Sequence, residues 1–440
     1  MKKTHLYILA YFFLFSTIFV FLIPPFEAND EPYHLEYINY IVKNSSLPNQ
    51  LKENERVNIE GHQFPLYYMV SASLIKIIWG DSPVNFSLVY NKKHFSAGGP
   101  ENLVPVFNHT NSNSLADNKS KSQFYFLRLL SVVFGMVNLF FVFKIVRLFF
   151  ADEKIIVLCL FFAASLPQFI YVSSTITNDS LANLLSTLAV YTFLILLKDS
   201  TFKKIISFCI IFPLCLICKK TLFFLIPSVL ISSAFALYTG KINKNIFFKL
   251  SACMFLFTMW IAGWFYLRNY FIYNDVLLNT IEQLTVPMHY DPKSILSLYF
   301  LYPFVPGLFG SFFGVFGWMN VAMPFIVYLF YFIVVLTSIL GIIKKKFSYE
   351  ITPPAIFVIL SIFICFAGIV YYNLSYTQHQ GRFLFPVLSL ISVCLITGLK
   401  NISVTNKINF IRALYAILII INIVSVYVIY RFYYIENNYL

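Results

Sequence analysis

The chain has 440 residues, of which 59% are hydrophobic, 19% aromatic and 12% charged, with a mean hydropathy of +0.74. Soluble domains carry roughly 25% charged residues, so the composition excludes a water-soluble globule and a disordered chain. The net charge of +13 reads in such a chain as cytoplasmic Lys and Arg that fix orientation, not as a nucleic-acid surface. The fold class is an all-α polytopic membrane protein, taken as a single integral-membrane domain.

Lys2-Lys3 precede an apolar run from Leu6 to Pro25, long enough to span at roughly 20 residues per crossing. Phe26-Glu27-Ala28 lacks the small residue a signal-peptide cleavage site needs, so the run is expected to stay as a first span with its N-terminus in the cytoplasm. Residues 26–123 form a long, mostly polar first outer loop. Ten further apolar runs follow: Phe124–Lys144, Ile155–Ser173, Leu181–Leu197, Ile205–Ile217, Thr221–Tyr238, Ile246–Leu267, Phe325–Ile343, Pro354–Tyr372, Phe383–Leu399 and Ile408–Tyr430. About eleven spans thread the basic clusters at Arg147/Lys154, Lys198/Lys203/Lys204, Lys241/Lys244/Lys249, Lys344/Lys345/Lys346 and Lys400/Lys407/Arg412 to one side, provided two apolar patches do not cross. Those are Phe64–Trp79, in the first loop, and Leu296–Val321, in a second large outer segment over 268–323; both are read as helices at the outer surface. The excess positive charge then falls entirely on the cytoplasmic loops. The seven cysteines all lie in apolar stretches, and Cys215-x-x-Cys218 is read as packing rather than redox chemistry.

Unusual polar residues collect on the outer side. Glu27, Asp30, Glu31, His34 and Glu36 fall within ten residues, a set able to supply a general base or hold a metal, or alternatively to cap a solvated helix. Thr177-Asn178-Asp179-Ser180 suits a short outer turn, yet puts Asp179 at the membrane edge on the same side as Asp30. Lys219, Lys220, Arg268 and Arg382 sit outside against the positive-inside bias. They suit a lipid phosphate or headgroup anchoring. His379-Gln380 precede Arg382, and His62 opens the Phe64–Trp79 patch. No Walker loop, GxGxxG, HExxH or GxSxG motif is present.

Six segments in order carry a resemblance: Asp30-Glu31-Pro32-x-His34, Gln63-Phe64-Pro65-Leu66-Tyr67-Tyr68, Thr177-Asn178-Asp179-Ser180-Leu181-Ala182-Asn183, Trp264-x-Tyr266-x-Arg268-Asn269-Tyr270, Ser311-Phe312-Phe313-Gly314-x-Phe316-Gly317-Trp318-Met319-Asn320 and Gln380-Gly381-Arg382-Phe383-Leu384-Phe385-Pro386. The chain resembles the GT-C superfamily of membrane glycosyltransferases, within it the DUF2142-type predicted membrane proteins. The resemblance implies an acidic residue after the first span acting in transfer (Asp30 or Glu31), a second acid in the second outer loop (Asp179), and cations near a lipid-phosphate leaving group (Arg268, Arg382). It implies a polyprenyl-phosphate-linked sugar donor, a glycan or lipid-linked acceptor such as O-antigen, and in some members a divalent metal such as Mg or Mn. The expected activity is inverting sugar transfer at the outer face of a bacterial inner membrane. His34, Lys219, Lys220, His379, Gln380 and His62 are expected to bind substrate or lipid phosphate. A flippase or transporter, and a polysaccharide polymerase or ligase, remain as alternative readings.

Overall fold

The computed structural model describes residues 3–91, 104–107, 114–286, 290–345, 352–402 and 408–437. Helix α1 (Lys3–Leu22) leads into α2 (Glu31–Asn44) and α3 (Leu66–Trp79). A 32-residue helix follows, α4 (Asn118–Phe149), then the pair α5 (Glu153–Ala164) and α6 (Pro167–Val172). Next come α7 (Asn178–Lys198), α8 (Phe202–Leu216), a tight turn at Lys220–Phe224 running into α9 (Leu225–Tyr238), and α10 (Lys244–Ile261). Three short helices follow, α11 (Gly263–Tyr273), α12 (Asn279–Thr285) and α13 (Val305–Phe313). A hairpin of two-residue strands, β1 (Val315–Phe316) and β2 (Val321–Ala322), follows. The chain closes with α14 (Phe325–Lys344), α15 (Pro353–Asn373), a tight turn at Gly381–Val387 leading into α16 (Leu388–Lys400), and α17 (Ile408–Tyr430).

Among the described residues, nine helices are long and apolar enough to cross a membrane. The two other runs expected to cross fold differently. The Ile155–Ser173 run breaks at Ser165-Leu166, because Pro167 has no N–H to continue a helix and starts a new one instead. The Ile205–Ile217 run is the 15-residue α8, with Pro213 in its last turn. The two patches read as non-crossing are short helices: α3 has 14 residues, about 21 Å at 1.5 Å per residue, against a ~30 Å apolar core.

Two buried apolar clusters hold the bundle, one around α4, α7 and α8, the other around α1, α5, α14 and α16. Where α14 meets α16, a Cβ on Gly341 would overlap the Gly398 carbonyl and one on Gly398 the Ser338 carbonyl. Small residues therefore set how closely these two helices approach. Arg128 is fully buried inside α4. The C-terminal end of α1 and the N-terminal ends of α2, α4 and α7 meet at one end of the bundle, through Arg128, Glu31 and Ile176. Lys3, Arg147, Lys198 and Lys400 lie at the far ends of their helices.

Candidate active site

Asp30 precedes α2 with φ 62°, in the left-handed region, which Asp tolerates better than most residues at a cost of roughly 1–2 kcal/mol. Its carboxylate makes no capping bond, so the capping reading of this acid does not hold. Instead Oδ2 accepts from Arg382 Nη2 at 2.7 Å, and the side chain stays 24% exposed. Arg382 is delivered by the turn after Gly381. A Cβ on Gly381 would overlap the Phe312 backbone, so glycine lets this turn seat directly against α13.

The same guanidinium reaches the second acid, with Arg382 Nε 3.5 Å from Asp179 Oδ2. Asp30 and Asp179, 149 positions apart in sequence, therefore share one cation. Asp179 is buried in the first turn of α7, not on a solvated hairpin. Thr177 caps that helix, its Oγ1 accepting from Asp179 N at 3.2 Å. Lys219 Nζ donates to Asp179 Oδ1 at 2.5 Å and to Asn178 Oδ1 at 2.8 Å. That leaves Asn178 Nδ2 to donate to Gln63 Oε1 at 3.0 Å and toward Tyr68 Oη at 3.4 Å.

Tyr68 continues the network to His34, Oη to Nδ1 at 2.9 Å, and Glu60 Oε2 lies 3.8 Å from the same nitrogen. Burial pushes the His34 imidazole down to about 3, with Asp30 opposing the shift. Burial, aided by Asp30 and opposed by Lys219 and Arg382, raises the Glu60 carboxyl well above its ordinary range. Asp30, His34 and Glu60 each offer a ligand atom within 4.8 Å of the others. Glu60 Oε2 is buried with no hydrogen-bond partner, and burying such a group is costly unless a proton or cation satisfies it. Two carboxylates and an imidazole suit Mn or Zn better than Mg, which favours oxygen ligands. The three residues fit a divalent cation.

Glu31, one residue from Asp30, has a different environment. It is fully buried, and Arg128 grips it with Nε on Oε1 at 2.8 Å and Nη2 on Oε2 at 2.7 Å. The backbone N–H groups of Phe26 and Ile176 donate to the same carboxylate at 2.9 and 3.0 Å. Arg128 also donates to the carbonyls of Val20, in the last turn of α1, and of Ile23 and Pro24 just after it, where helical partners run out. This pair ties α1, α2, α4 and the Ile176 loop together, and both carboxylate oxygens are taken. Glu27, fully buried, accepts from the N–H groups of Val106 and Phe107.

A neighbouring cluster takes His62 and Lys220. Glu282 of α12 accepts from Lys220 Nζ at 2.7 Å and Tyr372 Oη at 2.8 Å, with His62 Nε2 at 3.6 Å. Burial pushes His62 down to about 4 against the pull of Glu282. His62 and Gln63 meet at 2.9 Å, linking this cluster to Asn178. Arg268 stands apart. Its Nη2 donates to Pro48 O at 2.7 Å because α11 carries it under the Leu47–Pro48 turn. His379 Nδ1 faces Tyr299 Oη at 3.3 Å, while Gln380 lines a small cavity with Arg382, Asn29 and Thr175.

The structure thus joins Asp30, Asp179, Arg382, Lys219 and His34, sets His62, Lys220 and Gln380 beside them, and separates Glu31, Arg268 and His379. Sequence reasoning missed Glu60, Glu282 and Arg128, and read Asn178 only as a turn residue. Arg128 alone carried a usable signal, a lone charge inside an apolar run.

The model of the DUF2142 family of predicted membrane proteins matches residues 13–391. The chain belongs to this family. No curated protein matches it. Among solved structures the DUF2142 chain is similar to ArnT from Cupriavidus metallidurans bound to undecaprenyl phosphate, with TM-score 0.53 and 10% identity over 90% of this chain and 60% of that one. It is also similar to the Archaeoglobus fulgidus oligosaccharyltransferase complex with Zn and sulfate, with TM-score 0.55 and 14% identity over 96% of this chain and 52% of that one. The DUF2142 chain therefore spans about half to three-fifths of the length of these proteins. At such identities the likeness speaks to the fold alone, which this chain shares with ArnT and the oligosaccharyltransferase.

Proposed function

We propose that the protein is an inverting membrane glycosyltransferase that moves a sugar from a polyprenyl-phosphate donor to a hydroxyl of a cell-surface glycan or lipid-linked acceptor. The observation that carries this reading is the sharing of Arg382 by Asp30 and Asp179, in a GT-C fold, at the end of the bundle opposite the basic helix termini. With those termini in the cytoplasm, the site faces the periplasm of a bacterial inner membrane, where lipid-linked donors rather than nucleotide sugars are presented.

In this mechanism Asp30 is the base, because its Oδ1 has no hydrogen-bond partner among the described residues while Glu31 is fully engaged. The acceptor O–H gives its proton to Asp30, and its oxygen attacks the anomeric carbon. The bond from that carbon to the phosphate oxygen breaks, and the phosphate leaves with the electron pair. Arg382 keeps donors beyond the one given to Asp30, and Lys219 keeps a third N–H; both neutralise the departing phosphate. Asp179 holds these two cations in place. A divalent cation held by Asp30, His34 and Glu60 would supply further charge neutralisation at a phosphate oxygen when bound. The test is transfer from undecaprenyl-phosphate-linked labelled sugar by purified protein in lipid nanodiscs, with Asp179→Asn as the paired variant. Release of undecaprenyl phosphate by wild type and its loss in the variant support the reading; no release with any glycosyl donor in a panel rejects it.

A further inference from the structure

One turn along α2 from Asp30, three aromatic side chains from three separate segments meet. Tyr33 comes from α2, Tyr90 from the first outer loop and Trp318 from the hairpin between β1 and β2. The Tyr33 and Trp318 rings lie 6.2 Å apart at 86°, so they form a corner rather than a stack. Phe107, buried, backs both Trp318 (6.2 Å) and Tyr90 (5.1 Å). The Trp318 indole N–H is fixed by donating to Phe26 O at 3.1 Å. Tyr33 and Tyr90 join through their hydroxyls at 3.1 Å.

This corner has features that bilayer anchoring does not explain. Its residues belong to the first turn of α2, to the loop after α3 and to the β1–β2 hairpin. Their polar tips are held by protein groups, the indole N–H by Phe26 O and the two phenols by each other, where an anchoring Trp or Tyr would turn its tip to the headgroups. Tyr90 is 44% exposed, and Tyr33 and Trp318 keep part of their surface open. Rigid, half-exposed rings whose polar tips are held by the protein are the usual makings of a recognition surface. The negative face of an aromatic ring attracts the slightly positive C–H groups that cover one side of a pyranose. The paired phenols at the rim offer donors and acceptors to that sugar's hydroxyls.

We propose that Tyr33, Tyr90 and Trp318 form the acceptor subsite, stacking a neutral pyranose ring of the acceptor glycan so that its hydroxyl reaches Asp30. The inference rests on the glycosyl-transfer reading for its role, and names the acceptor class that reading leaves open: a sugar, rather than a lipid phosphate or a peptide. Tyr33 follows Asp30 by three residues, and its phenol is raised above the ordinary value by burial first and, among the charges near it, by Asp30, so the two side chains lie within electrostatic reach of each other. The corner and the base are therefore neighbours, and the cavity beside Gln380 and Arg382 is lined by Gly317 and Met319, the residues on either side of Trp318.

Full-length protein in nanodiscs is probed by saturation-transfer NMR with methyl glucoside, methyl mannoside and methyl rhamnoside, and in parallel by binding of undecaprenyl phosphate. The expected result is saturation transfer concentrated on one face of at least one pyranoside. Binding should weaken about fivefold in Tyr33→Ala and in Tyr90→Ala, as loss of one aromatic contact implies, with undecaprenyl phosphate binding unchanged. Both positions are partly exposed, so these variants keep the fold, which their thermal transitions check. No transfer to any of the three pyranosides, or transfer equal in wild type and variants, overturns the subsite even when undecaprenyl phosphate binds. Weakened undecaprenyl phosphate binding in the same variants also overturns it, making the corner a lipid contact. A pyranoside signal lost in the variants, without any undecaprenyl phosphate binding, upholds the subsite as a glycan site and removes the lipid-donor reading instead.

Discussion

Replacing Glu31 by Gln leaves Arg128 as a positive charge with 0% exposure and no counterion, and exchanges one acceptor oxygen for an NH2 group facing existing donors. Two of the four bonds to the carboxylate are lost, those to Oε1 or those to Oε2. Breaking a buried pair by removing one partner costs about 3–5 kcal/mol, which for a chain of this size lowers the melting temperature by on the order of 5 °C. Arg128→Met should cost as much or more, because it also abandons the carbonyls of Val20, Ile23 and Pro24. The double variant should lose less than the sum of the two single losses, with a coupling of about 1–3 kcal/mol. The assay is thermal unfolding of purified protein in one detergent, followed by circular dichroism. Asp30→Asn, partly exposed, should stay within about 1 kcal/mol of wild type. A Glu31→Gln protein that melts with wild type yet transfers no sugar would refute the assignment of Glu31 to structure and of Asp30 to chemistry.

Lys219→Met should depress transfer by about 100-fold or more, a size typical of losing one group that stabilises transition-state charge; initial rates at saturating donor check it, and an unchanged rate removes Lys219 from the site. Metal-free protein should bind Mn or Zn with one-to-one stoichiometry by calorimetry, and Glu60→Gln should abolish the titration; equal binding by both proteins would place the cation elsewhere. Stability of the metal-free protein should fall on acidification from pH 6.5 to 5. His34 and His62 have folded values depressed to about 3 and about 4, so in this window the unfolded chain takes up their protons and the folded chain does not. Glu60, raised in the folded state, works with the opposite sign, one group against two. The net slope near pH 5.5 is about 1 kcal/mol per pH unit, read from denaturation midpoints against pH, and a stability that rises with acidification contradicts the burial of these histidines.

Nine of the eleven expected spans coincide with helices long and apolar enough to cross, legible because a bilayer forces long apolar helices. The break at Ser165-Leu166 was less so: Pro167 was visible, but whether a helix kinks or restarts at proline depends on its neighbours. Asp30 and Asp179 were singled out because the expected threading put both at one side, and the structure added the shared guanidinium, a contact across 352 residues that no local pattern encodes. Arg382 and Lys219 were expected to wait for a phosphate, yet each is already held by a carboxylate, so any phosphate must share them. Glu60 was passed over because a single acid in a polar loop has no periodicity to mark it. The Arg268 motif was clear in the sequence, and the structure adds that its Nη2 donates to the Pro48 carbonyl, a contact no local pattern announces. Glu31 and Asp30, adjacent in sequence, could not be told apart until Arg128 appeared beside one of them.

Transfer by Asp30→Asn protein tests the central claim most directly. Purified wild type and variant in nanodiscs are given undecaprenyl-phosphate-linked labelled sugar and acceptor glycan, with matched melting curves as the folding control. The account predicts release of undecaprenyl phosphate and labelled glycan by wild type, and loss of both in a variant that melts as wild type does. Normal turnover by a folded Asp30→Asn protein would contradict it.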